Sequence, residues 1–258
     1  MEWKQLLRLD RDRTTGSTHW CFADVEPTGC ERGRRLAKEG TRAGHWPLLV
    51  LESEGVGRHV VAARHIAAGE LLFSDEPFVQ IVHERCEATA CHWCYAPLAT
   101  TAAPVVCRDC LQASFCSAAC AQLGERSHEP ECGLLAQLAT SGRAELYRAV
   151  RGLRLFIKLV HGAHDEPEGF AAVEAMAEHY DDAPPERRRF LDQMASQINR
   201  FIPPERRMEP RRLARLVSRV HTNLYGVIDP AGLQYGSALY PRAGALFNHS
   251  CAPPSVVS

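Results

Sequence analysis

The chain has 258 residues, 45% of them hydrophobic and 24% charged, an ordinary composition for a soluble globular protein, and it is long enough to bury the core of one large or two modest domains. A net charge of −1, with 27 Arg and 3 Lys spread along the whole length, gives no electrostatic case for nucleic acid or a membrane surface. There is no run of 18 apolar residues, and Met1-Glu-Trp-Lys-Gln-Leu-Leu-Arg-Leu-Asp10 lacks the apolar core of a signal peptide. With eleven cysteines, free thiols and metal thiolates suit a reducing compartment, so the expected location is cytoplasm or nucleus.

Residues 1–46 show no clear period and are expected to form a loosely ordered leader. From Pro47 the character changes. Leu48–Leu51, Arg58–Ala63, Leu71–Phe73 and Phe78–Val82 are short β-branched or aromatic runs bounded by Gly and Pro, the pattern of antiparallel strands.

A cysteine-rich stretch then interrupts the strands. It reads Cys91-x2-Cys94-x12-Cys107-x2-Cys110-x5-Cys116-x3-Cys120-x7-His128-x3-Cys132, eight ligands within 42 residues. Zinc takes four N/S ligands in a tetrahedron, so eight ligands make two closed structural sites. The apolar residues here are few (Val105, Val106, Leu111, Phe115), so metal would supply most of the folding free energy, about 10–16 kcal/mol per site. A disulfide framework also uses paired cysteines, but it has no use for His128 at ligand spacing. Spacing alone leaves open whether the ligand pairs are shared sequentially or crosswise.

After Cys132 the period becomes helical. Leu146, Val150, Leu153, Ile157 and Val160 form one stripe, with Gly162 placed to end it. Phe190, Leu191, Met194 and Ile198 form a second, stopped by Pro203-Pro204, and Leu213, Leu216, Val217, Val220 and Leu224 a third. A weaker stretch holds Phe170, Val173 and Ala177. These stripes read as core packing, and the interleaved Arg211, Arg212, Arg215 and Arg219 as a solvated face. Strands return at Val227-Ile228 and Leu233–Tyr235 around the turn Asp229-Pro-Ala-Gly232, followed by Gly236–Pro241 and Ala245–Cys251.

In this order (strands, double metal cluster, helices, strands ending in Asn248-His249-Ser250-Cys251) the chain resembles the SET- and MYND-domain family of protein-lysine methyltransferases. The spacing of the cysteine-rich stretch is similar to a MYND zinc finger. Gly57-Arg58-His59-Val-Val-Ala62 with Ile66-Ala-Ala-Gly69-Glu70 looks like the family's opening glycine-rich strand pair. The fold class implied is α+β: an incomplete SET β-fold carrying an inserted MYND-type double-zinc finger and a helical insert. The implied parts are a leader over 1–46, N-terminal SET strands over 47–85, the finger over 86–133, the helical insert over 134–225 and the start of the C-terminal SET part over 226–258. Segments 48–82 and 227–250 should then pack together.

The resemblance also implies ligands. The family pairs its zinc ligands crosswise, which assigns Cys91, Cys94, Cys116 and Cys120 to one ion and Cys107, Cys110, His128 and Cys132 to the other. S-adenosylmethionine is the implied cofactor, with Asn248 and His249 at its methionine end and adenine, Asn223 near the methionine end, Arg58 at the glycine-rich turn and His179 at the ribose. An exposed helix-end histidine is the competing reading of His179.

The chain departs from the family pattern at three places. His59 stands where a second glycine is usual, so a left-handed backbone there would be strained. Pro253-Pro254 replaces Pro-Asn. The family's later Gly-Glu-Glu stretch, its tyrosine and a terminal Cys-x-Cys-x2-Cys cluster have no counterpart. The expectation is a lysine methyltransferase by lineage, acting on a protein lysine, whose cofactor binding is weak or absent and whose activity is impaired in this chain. The alternative is a zinc-dependent interaction module on a degenerate SET scaffold, docking proline-containing peptides at the finger.

Overall fold

The computed structural model describes residues 10–11, 18–21, 34–37, 45–54, 57–67, 70–100, 103–140, 144–228, 232–242 and 244–247. The chain divides into two compact units, one of residues 1–76, 228–233 and 242–258, the other of residues 77–227 and 234–241.

Among the described residues, the first unit holds the strands β1 (Asp10–Arg11), β2 (Thr18–Cys21), β3 (Arg34–Ala37), β4 (His45–Ser53), β5 (Gly57–Ala62) and β6 (Leu71–Asp75). They form two antiparallel sheets, ordered β1-β2-β6 and β3-β4-β5. The apolar runs carry the buried residues Leu48, Leu49, Ala62, Ile66, Leu72 and Phe73. Leu48 and Leu49 are adjacent and both buried, so β4 is covered on both faces. Phe73 stacks on Phe247 with ring centroids 4.9 Å apart, and the Gly244 N–H donates to the Asp75 carboxylate at 3.0 Å. Residues from beyond the helices thus complete a core begun before them.

Among the described residues, three strands fall within residues 1–46, where a loose leader was expected: β1 pairs with β2, β2 with β6, and β3 with β4. Pieces of two to four residues are too short to display a period of two. Their order comes from a partner strand with open hydrogen-bonding groups, which local sequence does not encode.

The second unit contains β7 (Val79–Val82), β8 (Val105–Val106), β9 (Ser114–Phe115), helices α1 (Ala118–Thr140), α2 (Ala144–Asp165), α3 (Pro167–Glu174), α4 (Pro185–Arg200) and α5 (Pro210–Asn223), then β10 (Tyr225–Ile228) and β11 (Gln234–Leu239). One sheet runs β10-β11-β7; Val79 pairs with Leu239 and Val82 with Gly236. Strands on either side of the cysteine-rich stretch and the helices therefore share one ladder. β11 joins two runs that the sequence separates at Tyr235/Gly236. Gly236 is required there, because a Cβ would lie 2.2 Å from the Ile81 carbonyl oxygen and 2.6 Å from the Tyr95 ring.

All four helical stripes form helices, with Ala177 past the end of α3 and Leu224 past the end of α5. α2 is the central one: every residue from Leu153 to Val160 is buried, including Arg154 and Lys158. It also runs past Gly162 to Asp165. α1 runs through residue 133, where the sequence placed the end of the finger, and its interior Pro130 does not break it. Phe190 leaves the expected core stripe; it is 42% exposed, covered by Arg187 on one side and stacked on His221. The arginine face of α5 is occupied rather than merely solvated. Arg212 pairs with Glu174, Arg211 with Asp181, and Arg215 with both Glu178 and Asp181, while Arg211 and Arg215 flank the Tyr180 ring. Among the described residues, no helix is long and apolar enough to cross a membrane.

Candidate metal centres and cofactor-site residues

Two tight knuckles begin the metal region. In Cys91-His-Trp-Cys94-Tyr95 the Tyr95 N–H returns to the Cys91 carbonyl at 3.0 Å, and in Cys107-Arg-Asp-Cys110-Leu111 the Leu111 N–H returns to the Cys107 carbonyl at the same distance. Each knuckle closes by turning its last residue left-handed, with φ of 60° at Tyr95 and 55° at Leu111.

The chain leaving the second knuckle comes back to the first. β9 pairs with β8 in a small hairpin, and the Ser114 carbonyl accepts the His92 N–H at 2.8 Å while the Ser114 N–H donates to His92 Nδ1 at 3.1 Å. This delivers Cys116 to Cys94. Ser117 then caps α1, its hydroxyl accepting the Cys120 N–H at 3.1 Å, which sets Cys120 in the first turn beside Cys116. His128 lies eight residues further on, about 12 Å along the helix, and Cys132 one turn beyond it. Those two therefore meet the second knuckle.

The result is two crosswise groups, Cys91/Cys94/Cys116/Cys120 and Cys107/Cys110/His128/Cys132, with the ligand atoms of each within 4.8 Å of one another. Sγ–Sγ separations are 3.6 Å for Cys94–Cys116, 3.5 Å for Cys116–Cys120 and 3.6 Å for Cys107–Cys132, and Cys110 Sγ lies 3.3 Å from His128 Nε2. A tetrahedron with zinc–sulfur bonds of about 2.3 Å has edges of about 3.8 Å. The donor set and the spacing both fit zinc.

The electrostatics point the same way. The Cys91 thiol is drawn down to about 5, chiefly by its side-chain contact with Cys94, and that contact pushes Cys94 far up. Burial, then Cys116, pushes Cys120 up to about 11; burial, then Cys107, raises Cys132. Cys91 in one group and Cys107, lowered to about 7, in the other ionise readily, while Cys94, Cys120, Cys110 and Cys132 resist. A dication removes that resistance and deprotonates the thiols outright.

Beneath the second group lies a charge cluster that sequence reading missed. Glu131, one helical turn from His128, has Oε1 at 3.4 Å from His128 Nδ1. Arg154 donates to it from Nε at 2.6 Å and from Nη2 at 2.9 Å, and Lys158 Nζ lies 3.4 Å away. Arg154 also binds Glu87, and Lys158 donates to the Gln80 carbonyl of β7 at 3.0 Å. Burial opposes ionisation of Glu131, but Lys158 and Arg154 outweigh it and hold the carboxyl well below its ordinary value. The available signal was Arg154 and Lys158 four residues apart inside the apolar run Leu153–Val160.

Of the residues assigned to the cofactor by resemblance, Asn248 and His249 lie outside the described residues, as does Cys251 of the same motif. Arg58 is an exposed residue of β5 in the first unit, opposite Glu52. Its neighbour His59 pairs with Leu51 in regular strand; the positive φ is at Gly57 (72°), so the anticipated strain at His59 does not arise.

His179 and Asn223 come close together in the second unit. The His179 N–H donates to Ser218 Oγ at 3.2 Å, and Asn223 Nδ2 donates to the carbonyls of Ala177 (2.8 Å) and Arg219 (2.7 Å). With both amide hydrogens committed, Asn223 offers a ligand its Oδ1, an acceptor suited to an ammonium. His179 lines an open cleft of about 340 Å³ with Ser218, His221 and Thr222 of α5 and Arg187 and Leu191 of α4.

No family model matches the chain. It is similar to the N-lysine methyltransferase SMYD2 of Gallus gallus, 26% identical over 209 residues that cover 80% of this chain and 47% of that protein. It is similar to the N-lysine methyltransferase SMYD2-B of Danio rerio, 27% identical over 209 residues (80% and 47%), and to the histone-lysine N-methyltransferase ASHR1 of Arabidopsis thaliana, 24% identical over 210 residues (78% and 42%). The chain thus spans about half the length of the curated relatives it matches. In its motif order, its crosswise cysteine–histidine groups and these matches, the chain is similar to the SET- and MYND-domain (SMYD) lysine methyltransferases.

Proposed function

We propose that the chain is part of an S-adenosylmethionine-dependent protein-lysine N-methyltransferase whose cysteine-rich region is a structural two-zinc finger. The observation that carries this reading is the similarity to N-lysine methyltransferases across 80% of the chain, a share that must include Cys91–Cys132. The cofactor supplies a sulfonium methyl for in-line transfer to a lysine amine.

In this reading Asn223 presents Oδ1 to an ammonium, Asn248 and His249 bind from the signature segment, and Arg58 and His179 act from β5 and from the cleft edge. The zinc ions have no part in chemistry; each closes its four-ligand site. They fix the knuckles and the start of α1, from which α1 continues onto α2. Exposed Val106, Leu111 and Leu123 give the finger apolar surface for a proline-containing peptide. The reading also carries a protein lysine as acceptor and action in cytoplasm or nucleus.

Calorimetry with S-adenosylmethionine on this chain and on Asn248→Ala and His249→Ala tests the cofactor assignment. Binding that each substitution weakens tenfold or more supports it. Binding unaffected by both substitutions would remove it. The same titration measures whether binding is as weak as the sequence leads one to expect.

A further inference from the structure

We infer that Glu131 is the positioning residue of the Cys107/Cys110/His128/Cys132 site, and that Arg154 and Lys158 of α2 lock it in place, so that metal affinity at this site depends on the docking of α2. The inference rests on reading the two groups as zinc sites and adds what controls one of them.

A histidine that binds metal through Nε2 must carry its proton on Nδ1, and a carboxylate on Nδ1 fixes both the tautomer and the ring plane. His128 directs Nε2 at Cys110 Sγ and Nδ1 at Glu131 Oε1. Glu131 lies three residues on along the same helix, so its reach is set by α1 itself. Its direction is set from outside. The guanidinium of Arg154 takes both carboxylate oxygens, and Lys158, one turn along α2, approaches Oε1. All four groups are buried, with Glu131 at 1% and Arg154 at 2% exposure. The space left among His92, His128, Glu131, Arg154 and Lys158 is about 10 Å³, room for one water at most.

The Cys91/Cys94/Cys116/Cys120 group has no histidine to orient. This asymmetry makes the inference selective: disturbing Glu131 should weaken one site and spare the other.

Cobalt titration of the whole chain, read by ligand-field absorption, separates a site of three thiolates and one imidazole from a site of four thiolates. Glu131→Gln keeps the shape but removes the charge that holds the Nδ1 proton. The expected result is a 10- to 100-fold loss of affinity at the histidine-bearing site, with the all-thiolate site unchanged. Equal losses at both sites, or none at either, would overturn the inference. Because Glu131→Gln also leaves Arg154 and Lys158 poorly compensated, a measurement on the unaltered chain stands beside it. In the zinc-loaded protein, nitrogen-15 correlation spectra should place the His128 proton on Nδ1; metal on Nδ1 would overturn the inference. If the unaltered chain bound neither cobalt nor zinc, the zinc reading would fall and the inference with it, a result distinct from normal loading that Glu131→Gln leaves intact.

Discussion

Arg154 of α2 and Glu131 of α1 meet as a two-point ion pair, Nε to Oε2 at 2.6 Å and Nη2 to Oε1 at 2.9 Å, with both side chains nearly inaccessible. The third guanidinium nitrogen binds Glu87, also buried. Arg154→Met would take from two buried carboxylates the guanidinium that binds both, leaving Lys158 near Glu131, and breaking such a buried pair costs about 3–5 kcal/mol. Arg154→Lys should also destabilise, since a single ammonium cannot reproduce the planar fork. Urea unfolding of the zinc-loaded chain checks both. A loss below about 1 kcal/mol for the Met variant would show the network to be incidental.

Leu111 presents the opposite case. It is 69% exposed and held at φ 55° to close the second knuckle. A left-handed residue with a Cβ costs about 1–2 kcal/mol, and asparagine tolerates the conformation better than leucine. Leu111→Asn should raise stability by about 0.5–1 kcal/mol, with unchanged zinc stoichiometry. A lowered unfolding midpoint would contradict the strain argument.

Gly236 lies opposite Val82, where an added Cβ meets the Ile81 carbonyl and the Tyr95 ring. Tyr95 follows the first knuckle and donates its hydroxyl to the Ile81 carbonyl at 3.3 Å, so Gly236 is where the finger rests on the β7–β11 ladder. Gly236→Ala should cost at least about 1–3 kcal/mol, because backbone cannot move aside as a flexible side chain would. A thermal melt coincident with that of the unaltered chain would rule this out.

Acid should weaken the second unit through the half-buried His83 and the more exposed His221. His83 bonds to Ser237 Oγ at 2.9 Å, and burial first, then the charge of Arg85, lowers its pKa. His221 is lowered by burial and by Arg187. In the unfolded chain a histidine takes up its proton near pH 6.5, whereas the folded one does so lower. Between those two values the unfolded state binds more protons, so stability falls as pH drops through that window and is fully present above it. His83→Gln should flatten the decline below about pH 6.5, as read by denaturant midpoints. Parallel pH profiles for the two proteins would refute the assignment.

The sequence displayed most of what depends on short-range spacing. All eight candidate ligands and most of the helical stripes and apolar strands lie where period and spacing put them, because knuckles and helix faces are encoded within a few residues; Phe190 leaves its stripe, and Ala245 and Leu246 lie in a short 3-10 turn rather than a strand. What depended on distant partners was hidden. β1–β3 exist through β4 and β6, and the crosswise choice depends on Ser114 returning to His92, an interaction that ligand spacing does not express. Arg154 and Lys158 carry no local sign of their role, since nothing near them in sequence shows that Glu131 and Glu87 will neutralise them in the core. The cofactor residues were legible only by resemblance, and two of the five, Asn248 and His249, lie outside the described residues.

Crosswise sharing of two zinc ions is the claim on which the rest of this account depends, and cadmium-113 NMR of the metal-substituted chain tests it most directly. The unaltered protein should show two resonances of equal area, one for four thiolates and one for three thiolates with an imidazole. Cys107→Ser should abolish or shift the resonance of the histidine-bearing site and leave the four-thiolate resonance in place, since Cys107 lies with His128 and Cys132. Loss of the four-thiolate resonance instead, with the histidine-bearing site intact, would mean that Cys107 sits with Cys91 and Cys94, and the crosswise arrangement would be wrong.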